Sequence, residues 1–238
     1  MHLLNRTRYY VPAYRTDKII QALNSGVDSI IFDLEDLTPS VEKDAARVLT
    51  KYALAEADFG AMNVMVRVNG YDSGLTVQDL TVLNGKVCYV LYAKAESVEE
   101  ILRLDMDLAE REAALGLEIG TIEVCPAIET AKGLLNSYDI ARACKRVTSI
   151  SIGGGDMAKD LKAIKMGTGV ELLYAKSHLI TVARAAEIEV LDTVYPKKDE
   201  AGLIRETEES FMLGFDGKGV ISNEQVPIIH KIYVQMKS

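Results

Sequence analysis

Eight short apolar runs alternate with helical segments along this 238-residue chain. Each run is rich in β-branched and aliphatic residues, and most are too short to form a helix. Apolar residues recur at helical spacing between them, which predicts alternating strands and helices. Strands that alternate with helices form a parallel sheet covered by those helices. The strands are predicted at residues 9–11, 29–33, 63–68, 86–91, 118–128, 147–152, 188–191 and 219–221.

This alternation predicts a closed (β/α)8 barrel, the TIM barrel, because such barrels have eight strands in about 250 residues. A doubly wound open sheet is the alternative. It has fewer strands and a glycine fingerprint after its first strand, which this sequence lacks. Since no linker or composition shift divides the chain, residues 1–238 are predicted to form one domain. The final segment, 228–238, is short and amphipathic, so any C-terminal extension is expected to be short or missing.

The composition excludes several classes of protein. The chain has 27 Lys and Arg against 35 Asp and Glu, a formal net charge of -8, and no basic stripe, which argues against a nucleic-acid partner. No apolar run has the length of a membrane span or of a signal peptide. We therefore expect a cytoplasmic protein without a membrane partner. The three cysteines are widely spaced and are predicted to be reduced thiols.

Charged residues lie at or soon after the ends of four of the predicted strands. Glu35 and Asp36 come after the second strand, Arg67 ends the third, Glu129 ends the fifth, and Asp156 follows the sixth. In a TIM barrel the carboxyl ends of the strands form the rim where catalytic groups lie. These residues are therefore candidates for an active site.

Glu129 and Asp156 are about one β-α unit apart, so both are predicted at the same end of adjacent strands. Two carboxylates with room for water and substrate oxygens suit Mg²⁺, which takes few protein ligands and keeps several waters. No cluster of His or Cys offers a zinc site. The alternative is that the two carboxylates are helix caps or partners in salt bridges.

Arg67 is a candidate for binding a substrate carboxylate, because a guanidinium can hold a carboxylate with two parallel hydrogen bonds. An ion pair with Glu35 or Asp36 is the alternative role. Asp33, Glu35 and Asp36 outnumber the cations expected nearby, so at least one is predicted to be left for a water or a substrate.

Three consecutive glycines, 153–155, precede Asp156 and allow a ligand to approach the backbone closely. Gly155 and Asp156 are therefore candidate substrate-binding residues. The glycine spacing matches neither the dinucleotide fingerprint nor the P-loop, which argues against a nucleotide cofactor.

Earlier in the chain, Ser97 followed by Glu100 predicts a capping box at the start of a long helix.

An ordered set of motifs resembles the citrate lyase beta subunit group of the HpcH/HpaI aldolase superfamily. The resemblance extends from about residue 6 to residue 226. The set is far more specific than any one of its motifs. In chain order they are residues 7–12, 26–36, 67–70, 94–97, 128–133, 155–156, 192–195 and 214–218.

The resemblance implies a TIM-barrel lyase that uses Mg²⁺. Glu129 and Asp156 would be the metal ligands, Arg67 the clamp on a substrate carboxylate, and Glu35 with Asp36 catalytic groups around the waters of the metal. The implied reaction cleaves a citryl-like acyl thioester to oxaloacetate, a 2-oxo acid, and an acetyl thioester. The thioester would be carried by coenzyme A or by an acyl carrier protein.

Two further functions stay open. One is a malyl-CoA or methylmalyl-CoA lyase, or a thioesterase for such compounds. The other is a non-catalytic paralogue that binds a 2-oxo acid or an acyl thioester.

The second alternative is motivated by Ser222-Asn223, which replaces the family's usual His-Pro, and by the expected lack of the family's C-terminal segment. Two other departures from the family pattern are Ala13 in place of a usual glycine and Gly155 in place of a usual glutamate. By the resemblance, the C-terminal segment that in many relatives reaches over a neighbouring subunit is expected to be missing. We therefore expect a homo-oligomer, or a partner chain, to cover the rim.

Overall fold

Eight parallel strands form a closed barrel in the computed structural model, which describes residues 5–164 and 169–236. Each strand pairs with the next along the chain, and the last pairs with the first through Thr7 and Lys218. The predicted TIM barrel is confirmed. The strands are β1 Thr7–Pro12, β2 Ser29–Asp33, β3 Asn63–Val68, β4 Tyr89–Tyr92, β5 Glu123–Ile128, β6 Ser149–Ile152, β7 Glu189–Asp192 and β8 Gly217–Val220.

Helices cover the outside of the barrel. The longest, α4, begins with the predicted capping box: the Ser97 hydroxyl accepts from the Glu100 amide at 3.4 Å, and the Glu100 carboxylate accepts from the Ser97 amide at 3.0 Å. None of the helices described is long and apolar enough to cross a bilayer. The helices are α1 Thr16–Leu23, α2 Lys43–Glu56, α3 Thr76–Leu80, α4 Val98–Leu115, α5 Ala131–Ala141, α6 Gly154–Asp160, α7 Leu173–Ala186, α8 Glu200–Leu213 and α9 Gln225–Gln235.

Strand β5 is shorter than predicted. The sequence indicates a strand from residue 118, but the sheet begins at Glu123. The preceding turn is bound to α4 instead: the buried Glu112 carboxylate accepts from the amides of Gly120 at 2.8 Å and Ile122 at 2.7 Å. These amides therefore do not take part in the sheet.

The interior of the barrel is filled by side chains rather than left as a channel. At its amino-terminal end the buried guanidinium of Arg8 lies over the Tyr89 ring, 5.7 Å from its centre, and 3.5 Å from a Glu189 oxygen. Above it lies an apolar layer. That layer consists of Ile31, Met65, Tyr89, Leu91, Cys125, Ala127 and Leu191. The open carboxyl end of the barrel is left for a site.

Candidate active site

Arg67 lies at the carboxyl end of β3 and is 8% exposed. It stands beside Asp33 in the sheet register and donates two hydrogen bonds to that carboxylate, one of them at 2.9 Å. Its Nη1 lies 3.2 Å from Glu35 Oε2 and 3.9 Å from Glu129 Oε1. Burial opposes the charge of Arg67, but these carboxylates raise its pKa well above the ordinary value. The ion pair with Glu35 considered from sequence is thus present, alongside a pair with Asp33.

Lys94 follows β4 and supplies a second cation to the rim. It forms ion pairs with Glu35 and with Asp36, the latter at 3.1 Å. The prediction that Asp33, Glu35 and Asp36 could not all be paired is therefore wrong: Arg67 pairs with Asp33 and Glu35, and Lys94 with Glu35 and Asp36. The cause is the barrel, which brings Lys94 back from 58 residues along the chain.

The sequence carried a signal for Lys94, because it follows its strand much as the other rim residues follow theirs. Its backbone has a φ of 53°, in the left-handed region that non-glycine residues rarely adopt. Such strain persists where the surrounding structure holds a residue in a required position. Here the required position is the contact with the two carboxylates.

Asp36, Glu129 and Asp156 form a cluster of carboxylates, with one oxygen from each lying within 4.8 Å of the others. Glu129 follows β5, Asp156 lies in the first turn of α6, and Asp36 lies in the loop after β2. The structure thus brings together the two residues predicted to bind a metal and adds Asp36.

The electrostatics of the cluster fit a cation. Glu129 is 2% exposed, and its Oε2 has no hydrogen-bond partner among the described residues. Burial raises the pKa of Glu129 to about 8, with Arg67 acting against the rise. Burial and the neighbouring Asp36 raise the pKa of Asp156. Burial also opposes ionisation of Asp36, but Glu35 and Lys94 hold its pKa at about 2. A hard divalent cation would satisfy these crowded oxygens.

The first two glycines of the run permit close contacts, and a Cβ on Gly154 would lie 2.9 Å from Thr193 Cγ2. A Cβ on Gly153 would lie 2.6 Å from Glu129 Cγ, so Gly153 permits the Glu129 side chain to lie against the backbone. The Gly154 amide donates to Thr193 Oγ1 at 3.2 Å and begins α6. At Gly155 a Cβ would meet nothing within 4 Å. Gly155 is thus an open position on the wall of the site.

A pocket of about 150 Å³ opens between these groups. Arg67, Glu129, Gly155 and Asp156 line it, whereas Glu35 and Asp36 reach it only through their contacts with its lining residues. Two further lining residues, Tyr10 and Ser151, come from within the strands and were not singled out from sequence for this role. Pockets of this kind, with convergent polar groups and shifted pKa values, are typical of active sites.

Residues 6–223 match the family described as HpcH/HpaI aldolase/citrate lyase. The chain belongs to this family. It is 35% identical over 232 residues to the citrate lyase subunit beta of Leuconostoc mesenteroides subsp. cremoris, spanning 97% of this chain and 77% of that relative. It is also 33% identical over 238 residues to a (3S)-malyl-CoA thioesterase of Cereibacter sphaeroides, spanning 96% and 76%.

Among solved structures, the fold is similar to the citrate lyase beta subunit of M. tuberculosis in complex with oxaloacetate and magnesium. The TM-score is 0.80 at 24% identity, and the match covers 97% of each chain. This likeness concerns the fold alone. The family match and the citrate lyase relative confirm the resemblance expected from the sequence motifs.

Proposed function

We propose that this protein is a Mg²⁺-dependent carbon-carbon lyase that cleaves a citryl-like acyl thioester to oxaloacetate and an acetyl thioester. The observation that carries the proposal is the buried Glu129 carboxylate. One of its oxygens has no hydrogen-bond partner in the described part of the chain, and it lies near Asp36, Asp156 and Arg67. Membership of the family and the named activity of its citrate lyase relatives support the reaction class.

Asp36, Glu129 and Asp156 would hold the metal ion. They offer oxygen ligands from the carboxyl ends of three different β-α units and leave the pocket side open for waters and substrate oxygens, as Mg²⁺ sites usually do. The bound ion would supply positive charge to a developing oxyanion and would orient the substrate.

Arg67 would bind the carboxylate on the substrate arm that carries no thioester. Asp33 fixes the plane of the guanidinium through two hydrogen bonds, and Glu35 holds Nη1 at 3.2 Å. Glu35 also binds Lys94, so this carboxylate joins the two rim cations. Bidentate contacts of this kind fix orientation as well as charge.

In the proposed reaction a base takes the proton of the substrate hydroxyl. The bond between the hydroxyl-bearing carbon and the α-carbon of the thioester then breaks, and its electron pair stays on the α-carbon as an enolate. Protonation of that carbon gives the acetyl thioester, and the former hydroxyl carbon becomes the ketone of the 2-oxo acid. The pocket, of about 150 Å³, would hold the acid portion while coenzyme A or an acyl carrier protein stays outside the rim.

The test is release of oxaloacetate from citryl-CoA, followed with malate dehydrogenase and NADH. We expect release that depends on Mg²⁺, is abolished by EDTA and falls by at least about a hundredfold in Asp156→Asn, since the variant removes a proposed ligand. Asp72→Asn, which changes an exposed carboxylate in the loop after β3, should keep wild-type activity.

Release of glyoxylate from malyl-CoA, with no 2-oxo acid released from any citryl thioester, would instead assign the related lyase activity. Binding of Mg²⁺ and oxaloacetate without turnover of citryl-CoA, citryl acyl carrier protein or malyl-CoA would indicate the non-catalytic alternative. Either result would overturn the proposal.

A further inference from the structure

Ser151 is a buried hydroxyl with no assigned role at the floor of the pocket. It lies on β6, where its register partners are Ala127 and Leu191 on the neighbouring strands. The residue is 5% exposed, and its Oγ has no hydrogen-bond partner within residues 5–164 and 169–236. It nevertheless lines the pocket that Arg67 and Glu129 also line.

A buried hydroxyl without a partner is unfavourable, because it has lost its hydrogen bonds to water. Ser149 shows that β6 carries a second such group: it lies two residues earlier on the same inward face, is 1% exposed, and its Oγ is also unpartnered in the described structure. Ser149 does not line the pocket, whereas Ser151 does. The two serines therefore share strand, face and burial, but only Ser151 is among the described residues that line the pocket.

Tyr10, which also lines the pocket, lies beside the Arg67 guanidinium. The ring of Tyr10 lies 5.4 Å from the Arg67 guanidinium carbon. That ring packs over Gly219, where a Cβ would come within 3.1 Å of Tyr10 Cε2. A ligand group that enters the pocket would meet one cation, Arg67, and one hydroxyl, that of Ser151. This combination suits a carboxylate.

The chemistry of the proposed reaction decides which part of the substrate reaches this floor. The carbon that becomes the ketone carries an oxygen and a carboxylate. These would bind the ion held by Asp36, Glu129 and Asp156 at the rim. The bond from that carbon to the thioester portion must point outward, because the carrier is far larger than the pocket. The remaining substituent points into the barrel. In oxaloacetate that substituent ends in a carboxylate, and in pyruvate it is a methyl group.

We propose that the Ser151 hydroxyl donates a hydrogen bond to the distal carboxylate of a dicarboxylic 2-oxo acid, which Arg67 also binds, and that Ser151 thereby selects oxaloacetate over pyruvate. The inference rests on the proposed function and names the substrate class of the same site. A methyl group in this position would accept no hydrogen bond from the Ser151 hydroxyl and would offer the Arg67 guanidinium no substrate carboxylate. Polar groups arranged in this way discriminate more strongly than apolar walls do.

The test compares Ser151→Ala with its matched control, Ser149→Ala. Isothermal titration in the presence of Mg²⁺ measures the Kd of freshly prepared oxaloacetate and of pyruvate for each protein. We expect the wild type and Ser149→Ala to bind oxaloacetate at least about tenfold more tightly than pyruvate. In Ser151→Ala the affinity for oxaloacetate should fall by about tenfold, and the affinity for pyruvate should not change.

A thermal melt without ligand shows whether the fold is intact. Both variants remove an unsatisfied hydroxyl, so each should melt at or above the wild-type temperature. Unchanged oxaloacetate affinity in Ser151→Ala, or equal losses for both acids, would overturn the inference and leave the proposed function standing. If the wild type binds neither acid with Mg²⁺, the proposed function fails and the inference fails with it.

Discussion

Glu129 and Arg67 are buried side chains of opposite charge whose closest atoms lie 3.9 Å apart, yet Arg67 gives its shorter contacts to Asp33 and Glu35. Glu129 is left with an oxygen that no described residue satisfies. A buried carboxylate in this situation favours its protonated form unless a cation arrives. The protonation of this one residue should therefore report on metal binding.

The first prediction concerns the pH dependence of stability in the metal-free protein. Burial raises the pKa of Glu129 to about 8, whereas the unfolded chain has the ordinary value of 4.5. The stabilising contribution of the bound proton is complete below pH 4.5 and is lost as pH rises through about 8. Glu129→Gln does not ionise, so it should lack this loss and exceed the wild type in stability above pH 8.

Urea denaturation with a chelator, from pH 5 to pH 9, measures this difference. Added Mg²⁺ should stabilise the wild type more than the variant at pH 8, because the variant has lost a proposed ligand. Parallel pH profiles for the two proteins would show that Glu129 is already ionised without metal.

At the scale of elements, the turn from β6 into α6 sets the geometry of the site. Gly153 lies against Glu129, and the amide of Gly154 is bound by Thr193 after β7. Asp156 then projects from the first turn of α6. One short connection thus positions two proposed metal ligands from neighbouring strands.

The second prediction compares two glycines of this turn. Gly153→Ala places a Cβ 2.6 Å from Glu129 Cγ and should displace that carboxylate, lowering Mg²⁺ affinity by about ten- to a hundredfold. Gly155→Ala meets nothing within 4 Å and lies in a helix, so it should keep the Mg²⁺ affinity and raise stability by about 0.5 to 1 kcal/mol. Titration calorimetry and thermal melts measure both quantities. Equal Mg²⁺ affinities would show that the Glu129 side chain rearranges without cost.

At the scale of the whole molecule, the last two strands of the barrel, β7 and β8, are short and share few pairs. β7 and β8 share only two register pairs, Leu191 with Gly217 and Asp192 with Lys218. A buried ion network strengthens this junction: Asp192 binds Lys218 at 3.0 Å and Lys176 of α7 at 2.9 Å. Lys218 also binds Glu206 of α8 at 2.7 Å, so the network ties both strands to two helices.

The third prediction is that removing the central carboxylate destabilises the barrel. Burial opposes ionisation of Asp192, but Lys218 and Lys176 hold its pKa at about 2. Asp192→Asn leaves these two ammonium groups buried with less charge to balance them, and should lower the free energy of unfolding by about 3 to 5 kcal/mol. Asp17→Asn, in the exposed pair with Arg15, should change the free energy of unfolding far less, because water and salt screen an exposed ion pair. Urea denaturation of the two variants gives the comparison, and similar costs would contradict it.

The oligomeric state is also a property of the whole molecule. The homo-oligomer expected from the sequence stays a prediction, which sedimentation of the purified protein measures.

The sequence by itself determined the order and type of nearly all the elements, because the spacing of apolar residues along a segment depends only on that segment. It placed β2 and β3 at their observed bounds and the capping box of α4 at Ser97. It missed the short helix α6, since three glycines are typical of a turn. It also indicated five of the charged residues at the rim, because each lies at or soon after the end of a strand, but it did not single out Lys94.

Only the tertiary structure decided how those rim residues pair. Lys94 meets Glu35 and Asp36, and Arg67 meets Asp33, because barrel closure brings side chains from separate strands within a few ångströms. The same closure leaves the Ser151 hydroxyl, at the pocket floor, with no hydrogen-bond partner among residues 5–164 and 169–236. Such contacts depend on distances between residues far apart in the chain, and those distances are set by packing of the whole barrel rather than by any local pattern.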